Sequence, residues 1–138
     1  MYKRQTYLFD ETIEDNLRIA KPDATQEEIE AACRMASVHE FILSLPDGYK
    51  TRVGALGDNL SAGEKQRIGL ARAFLRGSEW ILLDEPTSNV DSINEGIILK
   101  ALQEQKRKKS ILLVSHREST MAIADRIYRV KDGRMAEI

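Results

Sequence analysis

One cysteine in 138 residues leaves no partner for an internal disulfide. Cys33 falls among Ala31, Ala32 and Met35 in a helical pattern, where it reads as a small buried hydrophobe rather than a reactive thiol. Long apolar runs are also missing. No stretch approaches the roughly 18 residues of a membrane helix, and there is no signal peptide, so the expected setting is the cytosol. Charge of one sign is not in excess either: 21 basic and 22 acidic residues give a net charge of −1, which supplies no bulk attraction to nucleic acid. The run Lys106, Arg107, Lys108, Lys109 therefore reads as a solvated helix end, where each cation is favoured by about 0.3–1 kcal/mol. The length suits a core of its own, since domains of about 100–150 residues are the common size.

What the chain does have is concentrated between Leu60 and His116. The apolar run Trp80 to Asp84 ends in two adjacent carboxylates, Asp84 and Glu85, and is bounded by Pro86 and Ser88. Such a run predicts a fully buried strand of a parallel sheet, with its carboxylates emerging at the C-terminal end, the edge where open α/β sheets bind ligands. Asp84 is placed to hold a divalent cation through coordinated water. Glu85 is placed to orient or deprotonate an attacking water, and nucleoside triphosphate hydrolysis requires both roles. Upstream, Ser61, Ala62 and Gly63 open a helical pattern from about Glu64 to Arg76, closed by Gly77. Small residues at a helix N-terminus let backbone N–H groups approach an anion, and the helix dipole adds to the attraction.

The remaining pattern is helical first and alternating later. Residues 11–20 predict a short helix, and Thr25 to Ser44 a single longer one, started by a Thr25–Glu28 capping box and ended by the turn at Pro46, Asp47 and Gly48. Ile29, Met35, Val38, Phe41 and Ile42 have the spacing of core positions. After Trp80 the chain alternates strand and helix: about 92–106 helical, Ser110 to Ser115 extended, about 118–124 helical, and 127–130 extended. Such alternation argues for parallel βαβ units. Asp132 and Gly133 fit a hairpin turn before residues 134–138. His39 has no motif around it and reads as incidental.

In this order and spacing the segments resemble the nucleotide-binding domain of an ATP-binding cassette (ABC) protein. Leu60, Ser61, Ala62, Gly63 and Glu64 stand where that family has its LSGGQ signature, and Ile81 to Asp84 form its Walker B strand, with Glu85 matching the catalytic glutamate. Ser88, Asn89, Val90 and Asp91 match the D-loop. His116 matches the switch histidine, and Gln5 the glutamine of the Q-loop. Leu8 and Phe9 match the pair beside it, where a groove receives the coupling helix of the membrane domain. Residues 51–57 resemble the TEVGERG loop of exporters, with departures at Arg52, Ala55 and Leu56.

The resemblance implies an α/β, partial P-loop NTPase (ABC ATPase) fold: an incomplete, mainly parallel sheet with an α-helical subdomain. Residues 1–138 would form a partial nucleotide-binding domain, with about 10–77 the helical subdomain carrying the signature and about 78–138 part of the RecA-like core. The implied function is a transport-coupled ATPase powering export from the cytoplasmic face of the membrane. The implied ATP contacts are Gln5, Ser61, Ala62, Gly63, Glu64, Asp84 and Asp91, with Gln5 and Asp84 on Mg²⁺ and with Glu85 and His116 catalytic. The implied partners are a second nucleotide-binding domain, paired head to tail, and a membrane domain reached through the helical subdomain and Q-loop region. No nucleic acid is expected.

A P-loop needs GxxxxGK followed by Ser or Thr, and no such string occurs; the nearest approach, Gly57 to Gln66, has Ala62 where the second glycine belongs. The resemblance thus covers the domain from the Q-loop onward. Losing about four charge-assisted hydrogen bonds of ~1.5 kcal/mol each removes ~6 kcal/mol of nucleotide binding. That amounts to about four decades of affinity, so the chain alone is expected to bind ATP poorly and hydrolyse it negligibly. It is also expected to lack a central strand and expose backbone edges beside the His116 strand, open to a second copy. Two other classes carry weight: a chromosome-maintenance or DNA-repair ATPase of the same superfamily, whose signatures often carry a glutamate like Glu64, and a noncatalytic partner-binding fragment. The former inserts a long coiled coil before the signature, whereas here about 55 residues without sustained heptads intervene.

Overall fold

The computed structural model describes residues 6–54 and 57–138. Gln5, Ala55 and Leu56, which the sequence reading singled out, lie outside the described residues.

The N-terminal half is helical. Helix α1 (Ile13–Arg18) starts at Thr12, whose hydroxyl accepts from the Asp15 N–H. Helix α2 (Gln26–Met35) carries the expected capping box, with Thr25 and Glu28 satisfying each other's backbone N–H groups. The single helix expected to reach Ser44 is instead two. Helix α2 ends in a Schellman closure, in which Val38 N–H donates to Cys33 O at 2.9 Å and Ser37 N–H to Arg34 O at 3.0 Å. Ser37 takes the left-handed position at φ 56°, and Arg67 Nη1 donates to its carbonyl at 2.7 Å. Helix α3 (His39–Ser44) then runs on to the 3₁₀ turn Gly48–Lys50. Met35, expected in the core, lies beside this break and is 37% exposed, and Phe41 is half-buried, whereas Ile29, Val38 and Ile42 are fully buried.

Helix α4 (Ala62–Leu75) packs against α1 and α2 and buries Ile68, Leu70, Ala71 and Phe74. Its end is the expected one: Gly77 adopts φ 75° just past the last turn and donates to Phe74 O. Arg72 ties α4 to the start of the chain, donating to the carbonyls of Tyr7 and Asn16 and to Asn16 Oδ1. Asn16, itself fully buried, holds the backbone of Phe9 from both sides. That network buries Leu8 and turns Tyr7 and Phe9 outward, so of the Leu8–Phe9 pair only Phe9 presents a surface.

Strands β1 (Trp80–Asp84) and β2 (Ser110–Val114) pair in parallel, joined by helix α5 (Ser92–Gln105). Short helix α6 (Glu118–Met121) follows, and β3 (Tyr128–Lys131) and β4 (Arg134–Glu137) form a separate antiparallel hairpin around Asp132 and Gly133. Strand β1 is not fully buried as its composition suggested. Ile81 and Leu83 join Ile111 and Leu113 on the covered face, while Trp80 and Leu82 are each 70% exposed. Among the described residues helices cover one face of this pair, and both strands are edge strands. The basic run after α5 is stitched down locally: Lys106 bonds Asp125 and the Ile123 carbonyl, and Lys109 the Ser78 carbonyl.

Candidate functional site

The C-terminal ends of β1 and β2 bring Glu85 and His116 together. Glu85 N–H donates to Val114 O at 2.8 Å, extending the parallel ladder by one residue. At φ 50° its backbone then turns left-handed, a conformation costing a residue with a Cβ about 1–2 kcal/mol. The turn aims the carboxylate across the strand ends, where Oε1 lies 2.7 Å from His116 Nδ1 and the Ser115 hydroxyl approaches Oε2 at 3.5 Å. The carboxylate is largely enclosed and the imidazole open, at 13% and 82% side-chain exposure. Against an ionised carboxylate, which only accepts, Nδ1 is the donor of this contact. Asp84 ends β1 at the same edge.

Ser61, Gly63, Glu64 and Asp91 gather elsewhere, at the N-termini of α4 and α5. Ser61 caps α4 through a second capping box: its hydroxyl accepts from Glu64 N–H at 3.3 Å, and Glu64 Oε2 accepts from Ser61 N–H at 2.7 Å. Accepting that bond leaves the serine hydroxyl its own proton to donate outward. Ala62 is the first residue of the helix and is exposed. Asp91 caps α5, accepting from the N–H groups of Ile93 and Asn94 and from the Asn94 amide. The Asn94 bonds hold its carboxyl below the ordinary carboxylate range. Asn94 in turn lies directly over Gly63. Gln66 links the two groups of residues, accepting from the Thr6 hydroxyl and donating to Pro86 O at 2.9 Å, one residue past Glu85. An open groove of about 340 Å³ runs along this seam, lined by Thr6, Gln66, Leu82, Asp84 and Pro86 among others.

Gln66, Asn94 and Glu95 went unmarked in the sequence because each acts on a neighbour distant in the chain. Gln66 sits inside the KQR run, but nothing local says its amide turns toward Pro86. His39 is likewise not incidental. It is buried, with Nδ1 2.8 Å from the Tyr49 hydroxyl and Nε2 3.4 Å from Arg34, and burial beside that cluster pushes the Cys33 thiol up to about 11.

The sequence pattern described as ABC transporter matches residues 1–88. The chain belongs to the ABC transporter family. Among relatives of this ABC-family chain, a probable ABC transporter ATP-binding/permease protein of Haemophilus influenzae is 61% identical over 133 residues, 96% of this chain and 24% of that protein. A putative multidrug export ATP-binding/permease protein of Bacillus subtilis is 46% identical over 138 residues, all of this chain and 24% of that protein. The structure of a bacterial Atm1-family ABC exporter with ATP bound superposes with a TM-score of 0.86 at 36% identity, covering 96% of this chain and 23% of that one. The fold is therefore that of the P-loop NTPases of ABC type, and the chain spans about a quarter of the length of the relatives it matches.

Proposed function

We propose that this chain is part of the nucleotide-binding domain of an ABC exporter, in which it helps bind and hydrolyse ATP to drive transport. The observation that carries this reading is the Glu85–His116 contact at the ligand-binding edge of a parallel strand pair. Residues of about 10–77 form the helical subdomain of the domain, and about 78–138 part of its RecA-like core. Glu85 aligns and deprotonates the attacking water. With His116 Nδ1 committed to Glu85, Nε2 is the nitrogen left to accept from that water or, when the ring is protonated on both nitrogens, to donate to the terminal phosphate.

Asp84, a hard oxygen donor at the end of β1, suits Mg²⁺ and would hold it together with Gln5. When bound, that ion offsets negative charge on the phosphates. The signature residues Ser61, Ala62, Gly63 and Glu64 stand apart from Glu85 because they serve a nucleotide held by a second domain, paired head to tail. Ser61 and Gly63 present the capped N-terminus of α4 to its phosphates. Asp91, at the start of α5, faces the same junction. The membrane partner docks on the helical subdomain and the Q-loop region beside it, at the exposed rings of Tyr7 and Phe9, which places the domain at the cytoplasmic face of the membrane. No described helix is long and apolar enough to cross a membrane. Lacking GxxxxGK, the chain by itself turns over negligible ATP.

The test is Glu85→Gln in the full-length protein. ATP turnover is expected to fall by about 10²–10⁴-fold, the contribution of a positioned general base, while nucleotide binding persists. Unchanged turnover would leave the chain as a noncatalytic, partner-binding piece.

A further inference from the structure

The ring of His116 is 82% exposed, so packing on its own faces does little to fix it. Beyond its Nδ1 contact with Glu85, its position depends on the backbone to either side. On the N-terminal side that backbone is β2. On the C-terminal side Arg117 and Ser119 both reach one carboxylate: Arg117 Nη1 donates to Glu95 Oε2 at 2.6 Å, and the Ser119 hydroxyl donates to Glu95 Oε1. The pair is well shielded, with side-chain exposures of 33% for Arg117 and 16% for Glu95, so water and salt screen it less than a surface ion pair.

Glu95 is itself held in place. It lies in the first turn of α5, where Asp91 caps the helix and Asn94 seats against Gly63 of α4. The buried hydroxyls of Thr87 and Thr120, 3.5 Å apart, bring helix α6, which follows His116, against the turn after Glu85. A single helical turn therefore touches the signature helix on one neighbour and the histidine loop on another.

Resting on the ATPase reading of the site, we infer that Glu95 is a positioning residue: through Arg117 and Ser119 it sets the backbone after His116, and so the distance of the imidazole from Glu85 and the reacting phosphate. Glu95 touches no reacting group. It acts by keeping His116 where a displacement of about 1 Å would cost up to a hundredfold in rate.

The experiment measures ATP turnover by the full-length protein with Glu95→Ala, Arg117→Ala, the double variant, and Glu85→Gln as a reference. Glu95→Ala and Arg117→Ala are each expected to lower kcat by about ten- to a hundredfold with KM for ATP within about twofold, the signature of an interaction that matters in the transition state. Because both act through one contact, the double variant is expected to be no worse than Glu95→Ala alone. Should Glu95→Ala fail to fold, Arg117→Ala at the more exposed end of the pair decides the matter by the same kcat and KM criteria. A kcat within about twofold of wild type, a change confined to KM, or additive losses in the double variant would each overturn the inference. If Glu85→Gln abolishes turnover while the Glu95 and Arg117 variants stay active, the ATPase reading stands and only the role of Glu95 falls. If Glu85→Gln is fully active, both fall together.

Discussion

A methyl group on Gly63 would sit 2.3 Å from Cγ of Asn94, well inside contact distance. Asn94 cannot swing aside freely, because its amide donates to Asp91 Oδ2 at 2.6 Å. Close approach to α5 is thus one demand this glycine meets, beside the approach to an anion proposed for it. Gly63→Ala is expected to destabilise the fold by about 1–3 kcal/mol through overpacking. In an Asn94→Ala background the same change is expected to cost at least ~1 kcal/mol less, a coupling that urea unfolding of the two single variants and the double variant would measure. Equal costs in both backgrounds would show that the two residues do not press on each other. At Glu85 the left-handed backbone is the local cost of aiming a carboxylate across two strand ends, and the bond from Glu85 N–H to Val114 O stabilises that turn.

At the scale of elements, charged residues tie parts of the helical half together beside its apolar core. Glu14 on α1 is nearly buried and takes Lys50 at 2.7 Å and Arg18 at 2.8 Å, joining α1 to the 3₁₀ turn. The hydrogen bond from Lys50, then that from Arg18, lowers its pKa below the ordinary 4.5. A carboxyl with a depressed folded pKa adds stability that is fully present above the unfolded value and is lost as pH falls through the folded one. Glu14→Gln is therefore expected to lower the melting temperature at neutral pH and to make little difference once the pH is well below 4.5. Thermal melts of both proteins across that range check the sign; a gap that widened in acid would refute it. The α2–α3 break also belongs to this scale. Its apolar spacing runs through residue 37 as in one helix, and a serine at the left-handed position gives no glycine signal. Two backbone bonds and the Arg67 guanidinium hold the turn there.

At the scale of the whole molecule, the outer face of the β1–β2 pair is anomalous for a parallel sheet, which ordinarily has both faces covered. Trp80, Leu82, Leu112 and Val114 are 70%, 70%, 55% and 49% exposed, and burying each such side chain is worth about 1.5–3 kcal/mol. The 138-residue chain taken alone is expected to self-associate and to bind a hydrophobic dye. Trp80→Lys combined with Leu82→Lys is expected to shift it toward monomer in light scattering; a wild-type chain that is monomeric and dye-free would contradict this.

Much of this was legible from residue order alone. The strand ending in Asp84 and Glu85, the capped helix opening at Ser61, the Asp91 turn and the lone imidazole after β2 are local signals, because period, capping and turn chemistry act within a few residues. Local signals determined the family and picked out the candidate site residues. Tertiary structure alone decided which of them meet: Glu85 with His116, Gly63 under Asn94, Gln66 across to Pro86, and Glu95 with Arg117. It also decided that β1 shows Trp80 and Leu82 to solvent, since composition records how apolar a strand is and not what covers it. These contacts join residues 20 to 31 positions apart and depend on how helices and strands pack, which no short window of sequence contains.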